Sequence, residues 1–463
     1  MDKIPHLSVV GHPNKGKSSL VATLTENDSV RISVESGTTI QADSFEFQVE
    51  GAVYLRLTDT PGFQRSRQVL AWLQSAPDAD ADRPARVRAF LAEPGHAERF
   101  PDEVALLAPI MAGSGILYVV DASQPVTAAD EAEMTILQWT GQPRMAVMNP
   151  MGVATLQSVW QPLLSGFFQQ VLLFNPLTAT PAQRLALLRS LGDLAPGWQK
   201  PVAALCERLV LRDHQRLEAM AHSLARYWIE QMARREPLTL LDQQGFNRAG
   251  DKLRQKLDDA ETAFCRELLA LWGHRQASLA REVEWELGDD KLMNTETWYL
   301  WGLKQKQLVL VSGAAGAATG LVVDLGVGGT SMMLGAVSGG VLGSLGGWWA
   351  SQQLPGKRLG WLPLTRQKQF AGPVQHPNFP LVVMARALAF ARQLQWRSHA
   401  RREQLALQSS AAHWRQSEQV NLLQWAGAIR KDRWKPAQQD ALSGWIVEKL
   451  SAADDNSGAN NQD

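Results

Sequence analysis

The stretch GHPNKGKSS, Gly11 to Ser19, constrains this chain more than any other part of it. Gly11 to Ser18 fits G-x-x-x-x-G-K-[ST], a loop whose backbone N–H groups cradle phosphates while its lysine reaches further along them. The pattern carries weight only between a strand and a helix. IPHLSVV before it is an apolar run of strand length, and KSSLVATL after it has helical spacing. A β-strand, a glycine turn and a helix N-terminus in that order predict an α/β domain at the start of the chain.

The residues that follow keep to that plan. SFEFQVE and AVYLRLTD read as a strand pair, and the second ends in DTPG, Asp59 to Gly62. A carboxylate there can hold a magnesium water, and the Gly62 N–H can meet a terminal phosphate. SGTT lies between the two motifs and makes Thr39 the candidate magnesium and γ-phosphate sensor. GILYVVDAS, RMAVMNP and QQVLLFNP are further short β-rich runs separated by helical patterns, which predicts a doubly wound, mostly parallel sheet over residues 1–195. Between them, residues of about 64–114 contain SAPDADADRPAR and LAEPGH and read as a polar, breaker-rich insertion or lid.

Taken together, the loop, SGTT, DTPG and LYVVDAS resemble the Era and TrmE branch of translation-factor-class GTPases over the first two fifths of the chain. The resemblance implies GTP and GDP as ligands, with Gly11, His12, Pro13, Asn14, Lys15, Gly16, Lys17, Ser18 and Ser19 around the phosphates. It implies that Lys17, Thr39 and Gly62 serve hydrolysis and that Ser18, Thr39 and Asp59 hold Mg2+. Asn14 stands where potassium-activated members carry a loop asparagine, and Phe63 where Ras-like enzymes carry a water-positioning glutamine. This implies hydrolysis without that glutamine, with K+ held partly by Asn14. One departure stands out. Guanine is read in such proteins by Asn-Lys-x-Asp, and this chain has Asn149-Pro150-Met151-Gly152. Only Asn149 matches. Losing the carboxylate weakens discrimination by roughly 1.5 to 3 kcal/mol. Weak binding, relaxed base choice and compensation by another segment all stay open.

With 463 residues the chain is long enough for two or three domains. Its 46 Lys+Arg balance 46 Asp+Glu, so no overall basic field attracts nucleic acid. Cys206 and Cys265 are the only cysteines and suggest neither a disulfide framework nor a metal knuckle. The start of the chain has no secretory signal pattern, which predicts a G domain in the cytosol. Residues 196–450 show three-and-four apolar spacing and predict a helical domain, one stretch running from Pro380 to about Gln419. His214, His222, His274, His376 and His413 show no metal-ligand spacing. Residues 451–463 read as a disordered acidic tail.

Within the helical half, Gln307 to Gly356 contains one charged residue, Asp324. The run is long enough for a hairpin, about 307–350, of two helices near bilayer length. Glycines recur at four-residue intervals, as in Gly316 and Gly320 or Gly335, Gly339 and Gly343. Trp298, Tyr299, Trp301, Trp348 and Trp349 flank it, with Lys304, Lys306, Lys357, Arg358, Arg366 and Lys368 outside. Two readings stand: insertion into the cytoplasmic face of the inner membrane, or burial inside the helical bundle. The layout resembles a bacterial family of GTPases whose C-terminal half is a domain of unknown function. It implies a nucleotide switch and brings no substrate or protein partner. A dynamin-like remodelling GTPase with pairing G domains and a ribosome-assembly GTPase are the alternatives, the latter without a visible RNA module.

Overall fold

The computed structural model describes residues 4–26, 43–49, 51–75, 81–152, 156–237, 243–274, 370–374, 379–401 and 414–452. Thr39, the 307–350 hairpin with its flanks, His376, His413 and nearly all of the tail lie outside them. The chain divides into two compact units. The first runs to Arg216 and takes in short pieces that begin at Ala270 and Gln395; the second begins at Leu217.

In the first unit β1 (His6–Val10), β3 (Ala52–Asp59), β4 (Gly115–Asp121), β5 (Arg144–Asn149) and β6 (Gln170–Leu173) pair in parallel. β2 (Asp43–Val49) pairs antiparallel with β3 at one edge, giving the order β2-β3-β1-β4-β5-β6. The helices are α1 (Lys17–Thr25), α2 (Ser66–Gln74), α3 (Arg83–Ala92), α4 (His96–Arg99), α5 (Pro101–Met111), α6 (Ala128–Trp139), α7 (Gln157–Ser165) and α8 (Pro181–Gly192). This is the doubly wound sheet that the sequence predicts. β4 and β5 read as unbroken apolar runs because both faces of the sheet are covered. Leu117, Val119, Met145 and Val147 join one core with α1 and α8, while Ile116, Tyr118, Val120, Ala146 and Met148 join the other.

The described part of the stretch that reads as a polar lid is instead largely helical and belongs to the second core. Val87, Phe90, Phe100, Leu106, Leu107 and Ile110 are buried there with Phe63 and α2. Its breaker residues act as caps. Asp82 accepts the Ala85 N–H at 2.9 Å, Pro84 occupies the first turn of α3, and Gly95 precedes α4 in the left-handed region. Glu103 of α5 is 1% exposed and accepts the Gln64 N–H at 2.9 Å, so this segment holds the start of α2.

Among its described residues the second unit is mainly helical: the later part of α9 (Gln199–Ala233), α10 (Gln243–Leu271), α11 (Phe379–Gln395), α12 (Gln416–Arg430) and α13 (Pro436–Ser451). A two-residue pair, β7 (Glu236–Pro237) with β8 (Phe370–Ala371), completes its described part. Trp228 Nε1 donates to Pro380 O at 2.9 Å, and Tyr227 stacks on Phe264 with ring centroids 4.3 Å apart. Arg386, 2% exposed, forms a bidentate pair with Glu261 at 2.7 and 3.0 Å. The helix expected from Pro380 to about Gln419 ends at Gln395. Beyond it Ser398 Oγ donates to Pro176 O at 2.6 Å within the first unit and accepts the Ala400 N–H at 3.2 Å, the second a local side-chain bond of the kind that competes with helix continuation. Among the described residues, no helix is long and apolar enough to cross a membrane.

Candidate functional site

The register of the sheet brings the sequence motifs to one edge. Val9 pairs with Asp59 across β1 and β3, Val10 with Tyr118 across β1 and β4, and Asp121 with Asn149 across β4 and β5. The carboxyl ends of four strands therefore open toward the loop between β1 and α1, on either side of the point where strand order reverses.

Gly16 caps α1 in the left-handed region, at φ 91°. Two requirements select glycine there, since a Cβ would also lie 2.4 Å from Asn149 Nδ2. Asn149 is 4% exposed and its Nδ2 donates to Lys15 O at 3.0 Å, so this residue braces the loop from β5. Asn14, at the exposed crest, also has positive φ, 60°. Gly62 closes against the loop from the other side, where a Cβ would come within 2.6 Å of Pro13 N and Cδ. Thr60, fully buried, fixes that approach by donating its Oγ1 to Val9 O at 2.8 Å.

Inside the loop, Lys17 Nζ donates to Gly11 O and His12 O at 3.1 Å each. Burial pushes its ammonium below the usual lysine range, while the Asp59 and Glu133 carboxylates pull it back up. Ser18 Oγ donates to Asp59 Oδ2 at 2.6 Å. A hydroxyl and a carboxylate this close form a hard oxygen donor set that fits Mg2+. Phe63 is fully buried in the core, so its side chain offers nothing to a water.

Three residues to which the motifs assign no role belong to the same edge, two of them within LYVVDAS. Glu133 of α6, with no exposed side chain, lies 3.1 Å through Oε1 from His12 Nδ1, and its Oε2 accepts Tyr118 OH at 3.0 Å. Burial raises its carboxyl above the usual range, against the hydrogen bonds from His12 and Tyr118. The signal for it was an acid among the inward residues Ala132, Met134, Ile136 and Leu137 of α6. Asp121, at the end of β4, accepts through Oδ1 from Ser123 Oγ at 2.6 Å, Ser123 N at 3.0 Å and Met151 N at 3.4 Å. No spacing rule points to Ser123.

Residues 163–451, more than half of the chain, match the family described as a domain of unknown function, DUF3482. The chain belongs to the DUF3482 family. In this family member, residues 6–150 also match the family described as 50S ribosome-binding GTPase. The GTPase Der of Nitrobacter winogradskyi is 24% identical over 212 residues, covering 40% of this chain and 46% of that protein. The GTPase Der of Mycoplasma pneumoniae is 41% identical over 68 residues, 15% of each chain. This DUF3482 protein thus spans about half the length, 46%, of the first of these relatives. Among solved structures, Era in complex with MgGDPNP and nucleotides 1506-1542 of 16S ribosomal RNA aligns at 18% identity and TM-score 0.29, over 40% of this chain and 55% of that one. The likeness to GTPases thus falls on the first unit, over residues 6–150.

Proposed function

We propose that this chain binds and hydrolyses GTP as a magnesium-dependent switch. The observation that carries the reading is the Lys17, Ser18 and Asp59 constellation at the start of α1, with Ser18 Oγ 2.6 Å from Asp59 Oδ2. In it the N–H groups of the loop receive the β-phosphate, and Lys17 exchanges its bonds to Gly11 O and His12 O for phosphate oxygens. Ser18 and Asp59 are the residues that would hold Mg2+. The metal, when bound, supplies charge neutralisation at the phosphate oxygens. Gly62 and Thr39 sense the γ-phosphate, Gly62 by virtue of its contact with the loop at Pro13.

Because Phe63 is committed to the core, hydrolysis rests on charge rather than on a water-orienting amide. Asn14, exposed at the crest of the loop, is the residue for K+ in this reading. Equal turnover in potassium and sodium would remove that part. The single charge between Gln307 and Gly356 supports anchoring of the chain to the cytoplasmic face of a membrane. Recovery of the whole chain in the soluble fraction before any carbonate wash would sink it. For the switch itself the measurement is equilibrium binding of fluorescent GTP and ATP to the full chain with Mg2+, together with phosphate release. GTP binding that Lys17→Ala abolishes is expected, and failure of the unaltered chain to bind either nucleotide overturns the proposal.

A further inference from the structure

Position 152 is glycine where the base-reading motif of the resembled GTPases carries an acid, and the structure shows what occupies the neighbouring space. A Cβ built on Gly152 would lie 3.0 Å from both Cβ and Oγ of Ser123, so any side chain at 152 competes with Ser123 for one volume. The hydroxyl that fills it is held. Its proton goes to Asp121 Oδ1 at 2.6 Å, and the same oxygen accepts the Ser123 and Met151 N–H groups, tying the end of β4 to the segment after β5. A hydroxyl has one proton and two lone pairs. With the proton committed to Asp121, Ser123 presents acceptor capacity alone to a third partner.

We propose that Ser123, oriented by Asp121, selects the base of the bound nucleotide as a single neutral acceptor in place of the lost carboxylate. The inference rests on the guanine-nucleotide reading of the site. An aspartate accepts two N–H groups of guanine, the ring N1–H and the exocyclic 2-amine. The Ser123 hydroxyl accepts one. Hypoxanthine has the N1–H and lacks the 2-amine, so the site takes 6-oxopurines as a class and does not separate guanine from hypoxanthine. Adenine presents a bare N1 lone pair to the Ser123 lone pairs, and two acceptors facing each other repel. Ser123 is thus a specificity residue, remote from the phosphate chemistry at Lys17.

The test is competition of unlabelled GTP, ITP and ATP against a fluorescent GTP on the full chain with Mg2+. GTP and ITP are expected to bind within about threefold of each other, with ATP at least about tenfold weaker. Ser123→Ala should weaken GTP and ITP by about tenfold and leave ATP unchanged, a base-dependent split that a merely structural role would not produce. Ser123→Gly combined with Gly152→Asp clears the space and restores two acceptors, so GTP should then exceed ITP by about tenfold or more. If the unaltered chain prefers GTP to ITP by tenfold or more, the selector is overturned while the GTPase reading stands. Equal loss for all three nucleotides in Ser123→Ala also overturns it. Failure of all three to bind the unaltered chain overturns the site reading and this inference with it. The GTP-to-ITP comparison needs no variant, so a poorly folding mutant does not protect the proposal.

Discussion

Glu133 shows how one buried acid can be given work by its neighbours. Both of its oxygens meet polar groups, His12 from the phosphate loop and Tyr118 from β4, and the residue sits beside the Lys17 ammonium in charge terms. Burial raises its native pKa above the ordinary glutamate value of 4.5. An acid raised in this way binds a proton on folding, so its stabilising contribution is full below the unfolded value and is lost as pH rises through the native one. Glu133→Gln mimics the protonated form and escapes that loss. The stability of the variant relative to the unaltered chain, from urea unfolding at a series of pH values, is expected to improve as pH rises from 4.5 through the raised native value and to level off above it. Glu133→Ala, which leaves Tyr118 OH buried without its acceptor, should lose about 1 to 3 kcal/mol. At this scale the phosphate loop was legible from its letters, because each residue type is demanded by local geometry. Glu133 and Ser123 were not, since the contact of Glu133 with His12 and the closeness of Ser123 to Gly152 arise only in the folded sheet.

At the scale of elements, the end of α1 is tied to α8 and α9 by charge. Glu26, the residue after α1, pairs with Arg184 of α8 and with Arg212 and Arg216 of α9, the last two at 2.7 and 2.8 Å. Asp213 shares Arg184, at 3.1 Å. Desolvation takes Arg184 and Arg216 down to about 10, with the neighbouring arginines adding to it. Removing the central acid leaves three guanidinium groups around one carboxylate. Glu26→Gln should therefore destabilise the first unit by about 3 kcal/mol, read from chemical denaturation, and Glu26→Asp by less. The periodicity of α9 and α10 announced helices, but the charged residues on them gave no hint of this cluster. The segment before β4 misled for a related reason. Proline, aspartate and glycine mark both loops and helix ends, and only the burial of Phe90 and Phe100 between those ends decides for helices.

For the molecule as a whole, ligand binding and folding are linked. If the first unit binds GTP only when folded, GTP with Mg2+ at 100 times its dissociation constant should add about 2.7 kcal/mol to the stability of that unit, and Lys17→Ala should abolish the gain. Thermal and urea unfolding with and without nucleotide measure it. In the second unit, Arg386→Met leaves Glu261 without its bidentate partner and should cost about 3 kcal/mol. By itself the sequence determined the phosphate loop, the strands and helices that alternate around it and the helical character of the later half. Those follow from spacing along the chain, with period two for strands, 3.6 for helices and fixed offsets for the loop. Tertiary structure alone decided that Ser398, just past α11, bonds Pro176, that Glu133 reaches His12 across 121 positions, and that Ser123 fills the space beside Gly152. Such contacts depend on strand register and helix packing, which place distant residues a few ångströms apart and leave no periodic trace in the letters.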